Sequence, residues 1–224
     1  MRFCEVPLIR FVVLIFTAVL LFTGCKKEAD RFSISGKISH AEGKVLYLEE
    51  LLVSSSKVTD STKIDKRGEF KFEGTTTIPT YYLLKFNDNK FITLLVDSLE
   101  NVVVEADIAN FERDYSIKGS EGSAQVKMLN DHLYDTKHKL DSLKSLINLY
   151  RGNPDFERLL AQSEEEAARI RKEQIDFSTK FVMDNPFSMA SILALYQKFD
   201  NQYIVLNDLQ EMRDSASALN SIYP

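Results

Sequence analysis

The sequence predicts an α+β protein with segregated halves, an N-terminal antiparallel β-sandwich or barrel followed by an α-helical hairpin and further helices. Between Phe32 and Gly119, apolar and polar residues alternate at period two in short runs divided by turn residues. After Gly119-Ser120-Glu121-Gly122-Ser123 the apolar spacing changes to three and four, the period of an amphipathic helix. Ahead of both, a short apolar run ends at Cys25.

The N-terminal run comes first in chain order. Arg2 and Arg10 precede the uncharged stretch Phe11 to Phe22, and the small Thr23 and Gly24 adjoin Cys25. The stretch falls short of the ~20 residues that a membrane-spanning helix needs and suits the apolar region of a signal peptide. Leu21-Phe22-Thr23-Gly24-Cys25 therefore reads as a lipoprotein signal. A diacylglycerol thioether forms on the Cys25 thiol, cleavage follows Gly24, and the new amino group is acylated. Two or more acyl chains anchor stably where one does not. Residues 1–24 are thus a signal peptide, Cys25 the lipidation site and 25–31 a charged tether, Lys26-Lys27-Glu28-Ala29-Asp30-Arg31. The expected location is the cell envelope, on the outer membrane facing periplasm or surface. An uncleaved anchor helix and an ordinary secretory signal with an incidental cysteine are the competing readings. Phe22 departs from the aliphatic residue that most often stands three before the lipidated cysteine.

Charge and cysteine count exclude further classes. The chain has a formal net charge of −5, and removing residues 1–24 with Arg2, Arg10 and Glu5 makes it one unit more negative. A mildly acidic chain lacks the cationic footprint of a nucleic-acid binder. Cys4 leaves with the signal, so Cys25 is the one cysteine kept and its sulfur carries lipid. No disulfide and no thiol chemistry remain. The mature length of about 200 residues is enough for one large or two small cores.

In the β half (32–119), Phe32, Ile34, Gly36 and Ile38 alternate with Ser33, Ser35, Lys37 and Ser39. Further strands are expected from Val45 through Glu49, then over Ser56 to Asp65, Glu69 to Glu73, Tyr81 to Phe86, Phe91 to Val96, Asn101 to Asp107 and Tyr115 to Lys118. His40 to Gly43, Lys66-Arg67-Gly68, Ile78-Pro79 and Asn87-Asp88-Asn89 punctuate them. With no room for crossover helices, parallel pairing is not expected. In the helical half (120–224), Val126, Leu129, Leu133, Leu140, Leu143, Ile147 and Tyr150 form one stripe, interrupted by Thr136. Arg151-Gly152 ends that helix and Asn153-Pro154 starts the next, whose stripe of Phe156, Leu160, Ala167, Ile170, Phe177 and Phe181 is interrupted by Ser163 and Gln174. The short turn makes the pair an antiparallel hairpin. Asn185-Pro186 repeats the start signal for a third helix running through Phe199, and a fourth is expected from Leu206 to about Ile222. The stripe admits a homodimer, although Thr136, Ser163 and Gln174 favour packing within the chain.

No residue pattern names a reaction, and no catalytic, cofactor-binding or metal-binding residue is assigned. His132 and His138 stand six apart on opposite sides of a helix, and with His40 they read as surface residues rather than zinc ligands. Glu164-Glu165-Glu166 fan around a helix and read as a solvated face. Asp97, Glu100, Glu105 and Asp107 read as exposed strand carboxylates rather than an acid–base pair. Tyr47, Phe70, Phe72, Tyr81, Tyr82, Phe86 and Phe91 read mainly as core, with a glycan or peptide groove as the alternative.

Several segments carry a resemblance. Phe32 to Ser39, Gly43 to Leu51, Asp60-Ser61, Gly68-Glu69-Phe70-Lys71-Phe72 and Gly119-Ser120 resemble the DUF4369 domain of Bacteroidetes lipoproteins. Asn185-Pro186-Phe187-Ser188, Ala194-Leu195-Tyr196, Asp214-Ser215-Ala216 and Leu219 to Pro224 resemble the helical connector of the same proteins. In many members the connector leads into a thioredoxin-like domain, of the alkyl hydroperoxide reductase and thiol-specific antioxidant type, which performs thiol-disulfide exchange through Cys-x-x-Cys. The redox cysteines have no matching positions here, so only the lipidation site, Cys25, is carried over. The resemblance implies a lipid-anchored, non-catalytic N-terminal region of a thiol-disulfide oxidoreductase system, truncated before the redox domain or standing alone. It would work with a redox domain or protein partner and with the membrane. The alternative is an envelope binding module for glycan, peptide or a partner protein.

Overall fold

The computed structural model describes residues 30–52, 54–199 and 202–210; the signal segment, Cys25 and the far end of the expected fourth helix lie outside them. Eight strands form in the order the alternation dictates. They are β1 (Arg31–Ser39), β2 (Val45–Leu51), β3 (Ser56–Lys63), β4 (Glu69–Thr75), β5 (Thr80–Asn87), β6 (Lys90–Val96), β7 (Asn101–Asp107) and β8 (Tyr115–Lys118). They make two four-stranded sheets, β4-β1-β7-β8 and β3-β2-β5-β6, stacked as a sandwich rather than closed as a barrel. Alternate residues of the strands other than β3 turn inward, so Ile34, Leu46, Leu48, Phe72, Leu84, Ile92, Leu94, Val102 and Val104 fill one core between the sheets.

Pairing is antiparallel throughout the two sheets except between β1 and β7, which run parallel with Ser33 opposite Asn101 and Ser39 opposite Asp107. The sequence offers no crossover helix between them because strands of the other sheet make the crossing. Gly36 sits at that contact: a Cβ there would lie 1.7 Å from the Val104 carbonyl oxygen. Parallel pairing at this register therefore requires glycine.

Two long helices follow, α1 (Glu121–Leu149) and α2 (Phe156–Asp184), then the short α3 (Ala190–Tyr196). The sequence start signal at Asn153-Pro154 falls in the turn ahead of α2, where Asn153 Oδ1 accepts from Asp155 N at 2.9 Å. The third helix is shorter than its apolar pattern. It stops at Tyr196 because Gln197 is extended (φ −62°, ψ 143°), and a two-stranded ribbon, β9 (Lys198–Phe199) with β10 (Gln202–Tyr203), replaces its last turn. Phe187, inside the expected third helix, is 99% exposed. It lies in the turn that precedes α3, held by Ser188 Oγ accepting from Ala190 N. Residues 204–210 are helical, with Ile204 and Val205 buried.

The helices cover the open side of the sandwich where β6 and β8 are edge strands. A second apolar cluster forms there from Leu95, Val126, Leu129, Phe181, Ala190 and Ala194, with Tyr81 and Phe177 against it. The direction of α1 follows from its partners. It begins beside Leu95, and passes Tyr115 through Lys127 and Arg113 through Asp131 and Asp135. It thus starts at the end of the sandwich where the chain enters β1 and runs toward the other end. At 1.5 Å per residue it is about 43 Å long, so the hairpin extends beyond the sandwich. Among the described residues no helix is long and apolar enough to cross a membrane.

Candidate functional site

Two constellations organise the helical layer. The first is the joint between sheet and helix. Gly119 adopts φ +82°, and a Cβ there would lie 2.0 Å from the Asn101 carbonyl oxygen, so the turn out of β8 demands glycine. Ser120 then caps α1, its Oγ accepting from Ser123 N at 3.1 Å while donating to the Leu95 carbonyl at 2.9 Å. Ser123 Oγ accepts from Leu95 N at 3.0 Å and donates to the same carbonyl at 2.9 Å. Two serines thus satisfy the free backbone groups of an edge strand, which otherwise offer a pairing template. A stretch with the composition of a linker is a buried weld.

The second is a polar seam inside the hairpin. Thr136 and Gln174, two of the three interruptions in the apolar stripes, face one another: Thr136 Oγ1 donates to Gln174 Oε1 at 2.8 Å. His132 shares that oxygen through Nδ1 at 2.6 Å, which assigns the proton to Nδ1 because an amide oxygen only accepts. Gln174 Nε2 donates to Ser178 Oγ at 2.9 Å, Ser178 Oγ to Gln197 Oε1 at 3.5 Å, and Gln197 Nε2 to the Leu129 carbonyl at 3.3 Å. Gln174 and Ser178 are fully buried, and the His132 ring stacks on Phe177 at 3.7 Å between centroids. Among the described residues no buried side-chain polar atom lacks a partner. A chain of donors and acceptors this complete fixes the register of α1, α2 and the segment after α3. It aligns no nucleophile with a base.

His132 is accordingly half-buried rather than a surface residue. His40 is exposed and bonds Asp107 at 2.6 Å, and His138 lies exposed beside Tyr134. The carboxylates do not converge. Asp97 and Glu100 build the β6–β7 turn, Glu100 Oε2 accepting from Asp97 N at 3.0 Å and Asp97 Oδ1 from Ser98 N at 2.7 Å. At the other end of the sandwich Asp107 caps the turn of Ile108–Asn110; the Ala109 N–H, then His40, hold its carboxyl below the usual range. Glu105 is exposed on β7. Of the glutamate run, Glu166 pairs with Arg169. Among the described residues no group of three or more His, Cys, Asp or Glu could hold a metal ion.

The aromatic set divides in the same way. Phe70, Phe72 and Tyr82 are in the sandwich core, with Tyr82 5.1 Å from Phe32 between ring centroids. Tyr81, on the opposite face of β5, donates its O–H to the Met189 carbonyl at 2.7 Å under the helices. Tyr47 and Phe91 are exposed. The structure does not bring Tyr47, Tyr81 and Tyr82 to one surface.

The profile of one family matches: Domain of unknown function (DUF4369), over residues 32–126. The match runs past β8 and through the first turns of α1, taking in Gly119, Ser120 and Ser123. The weld therefore belongs to the matched unit. No curated protein matches the chain.

Proposed function

We propose that this protein is a lipid-anchored component of the cell envelope, on the outer membrane facing periplasm or surface. Its mature part is a non-catalytic scaffold in a thiol-disulfide exchange system. The observation that carries the reading is Cys25, placed directly after Leu21-Phe22-Thr23-Gly24 at the end of a short apolar run. Support for the scaffold comes from the DUF4369 match and from the chemistry of the chain, in which lipid takes the sulfur of the one cysteine after the signal. A sandwich with helices bonded to its edge strand is suited to holding a partner at a set distance and angle from the anchor. Disulfide chemistry is then the partner's.

The test is metabolic labelling with radioactive palmitate. Wild type should incorporate label and fractionate with membranes, and Cys25→Ser should lose both. Equal labelling of the two would sink the anchor. Insulin reduction by the protein beginning at Lys26 should equal the buffer rate, and turnover above it would remove the non-catalytic assignment.

A further inference from the structure

Beyond the sandwich, one flank of the helical hairpin is a groove of about 710 Å³. Its floor is hydrocarbon: Leu140, Leu143 and Ile147 of α1 with Leu160 and Ala167 of α2, closed at one end by Phe199. Its rim is cationic, with Lys137, Lys144 and Arg151 along one side, Arg171 on the other and Lys198 beside Phe199. Asp141 and Glu164 are the acidic residues of the lining. Several cations elsewhere on the two helices are neutralised by neighbours one turn away, Arg169 by Glu166 and Glu173, Lys172 by Asp176 and Lys180 by Asp184. Lys137, Lys144, Arg151 and Arg171 make no ion pair among the described residues, and all four are exposed. A chain of net charge −5 thus places four unpaired cations around one apolar trough.

We propose that this groove seats an acidic amphipathic helix of a partner protein, packed between α1 and α2 as the third helix of a bundle. Shape, length and charge each point there. The trough between two antiparallel helices is the complement of a cylinder, and Leu140, Leu143 and Ile147 repeat at the three-four spacing by which helices grip one another. From Lys137 to Arg151 the groove runs about 21 Å, four helical turns. Glutamates flanking the apolar stripe of such a helix would meet the rim cations, which adds association rate and selectivity more than raw affinity. A second copy of this chain is disfavoured, because two-fold pairing would set the rim against itself. A membrane surface is disfavoured because the floor is recessed behind the rim and a plane reaches the rim alone.

The probe is a fluorescein-labelled peptide of about four helical turns, with leucine along one face and glutamate elsewhere. Binding is read by anisotropy to the full chain held in phosphatidylcholine nanodiscs. Saturable binding is expected, weakened at least about tenfold by Lys137→Glu with Lys144→Glu and Arg171→Glu. The equal charge change on the sandwich, Lys44→Glu with Lys57→Glu and Lys66→Glu, should leave it within about twofold. Ile147→Ser in the floor should also weaken it. Circular dichroism verifies that each variant keeps its helices. No saturable binding, equal binding of a lysine-for-glutamate peptide, or equal loss in the two triple variants would overturn the proposal. So would a dimer abolished by the hairpin triple. A solvatochromic dye on Ser163→Cys that shifts to the blue when phosphatidylglycerol is added to peptide-free discs would assign the groove to a membrane surface instead.

Discussion

Between the two sheets the buried side chains are almost wholly hydrocarbon, whereas the helical layer buries Thr136, Gln174, Ser178, Thr179, Ser191 and Gln197 among its apolar residues. The difference follows from what each layer has to specify. A strand that slips by one residue turns its entire inner face to solvent, so an apolar core alone fixes the register of the sandwich. Two helices sliding past each other keep apolar contact in several registers, and matched polar groups select one of them. The sandwich is therefore held by volume and the hairpin by pairing, and substitutions in the two layers should fail in different ways.

The largest effect is expected in the sandwich. Phe72 is 1% exposed, and Phe72→Ala should cost about 3–5 kcal/mol through lost transfer energy and the cavity left behind. Tyrosine fluorescence, with no tryptophan to interfere, and far-ultraviolet dichroism should report the loss at one denaturant concentration, since Ser120 and Ser123 couple the layers. Separated transitions would show that the weld does not transmit stability. Next comes the seam. Gln174→Ala strands His132 Nδ1, Thr136 Oγ1 and Ser178 Oγ, and should cost about 2–3 kcal/mol. Pairing Gln174→Leu with Thr136→Val should recover part of that stability while broadening the amide spectrum of the hairpin. A double variant with sharp resonances would mean that volume also sets the register of the helices.

The two layers differ in legibility for the same reason. Period-two alternation and the turn residues between runs located the eight strands, because most strands have one dry and one wet face and the pattern is local; β3, exposed along nearly all its length, was marked by its flanking turns. The parallel β1–β7 pair was not readable, since register between strands far apart in the chain is settled by packing and by Gly36 against Val104. In the helices, Thr136 and Gln174 were visible as breaks in the stripes, yet a helical period tells which residues face inward and not which residue of the other helix each one meets. The role of the Gly119 to Ser123 segment was not readable either. Glycine and serine are common both in solvated linkers and at tight caps, and composition does not separate a serine in water from one bonded to an edge strand. The cationic rim was hidden by spacing, because Lys137, Lys144, Arg151 and Arg171 converge only once the hairpin folds.

The weld between the layers gives an intermediate effect. Ser123 is fully buried, and Ser123→Ala removes the acceptor of Leu95 N–H together with one donor to its carbonyl. The expected cost is about 1–2 kcal/mol. Amide exchange should localise it, with Leu95 losing protection while Leu48, in the apolar sandwich, keeps its own. Equal loss at both positions would mean that the joint opens only with the whole molecule.

The smallest effect at neutral pH belongs to Tyr81, which joins sheet to helices through its O–H on Met189 O. Burial pushes its phenol up to about 12, and burial likewise raises Tyr115. A folded-state pKa above the ordinary 10 means that the folded protein retains a proton the unfolded chain gives up. The contribution is therefore whole below pH 10 and falls as pH rises from 10 toward about 12. Tyr81→Phe should cost about 1 kcal/mol at neutral pH through the lost hydrogen bond. It should also move the alkaline unfolding midpoint upward relative to that loss, leaving the share carried by Tyr82 and Tyr115, both raised by burial. Spectrophotometric titration checks the same point directly, because one late-ionising phenol should disappear in the variant. If the alkaline limb of stability keeps its shape, the helices are released at high pH by groups other than Tyr81.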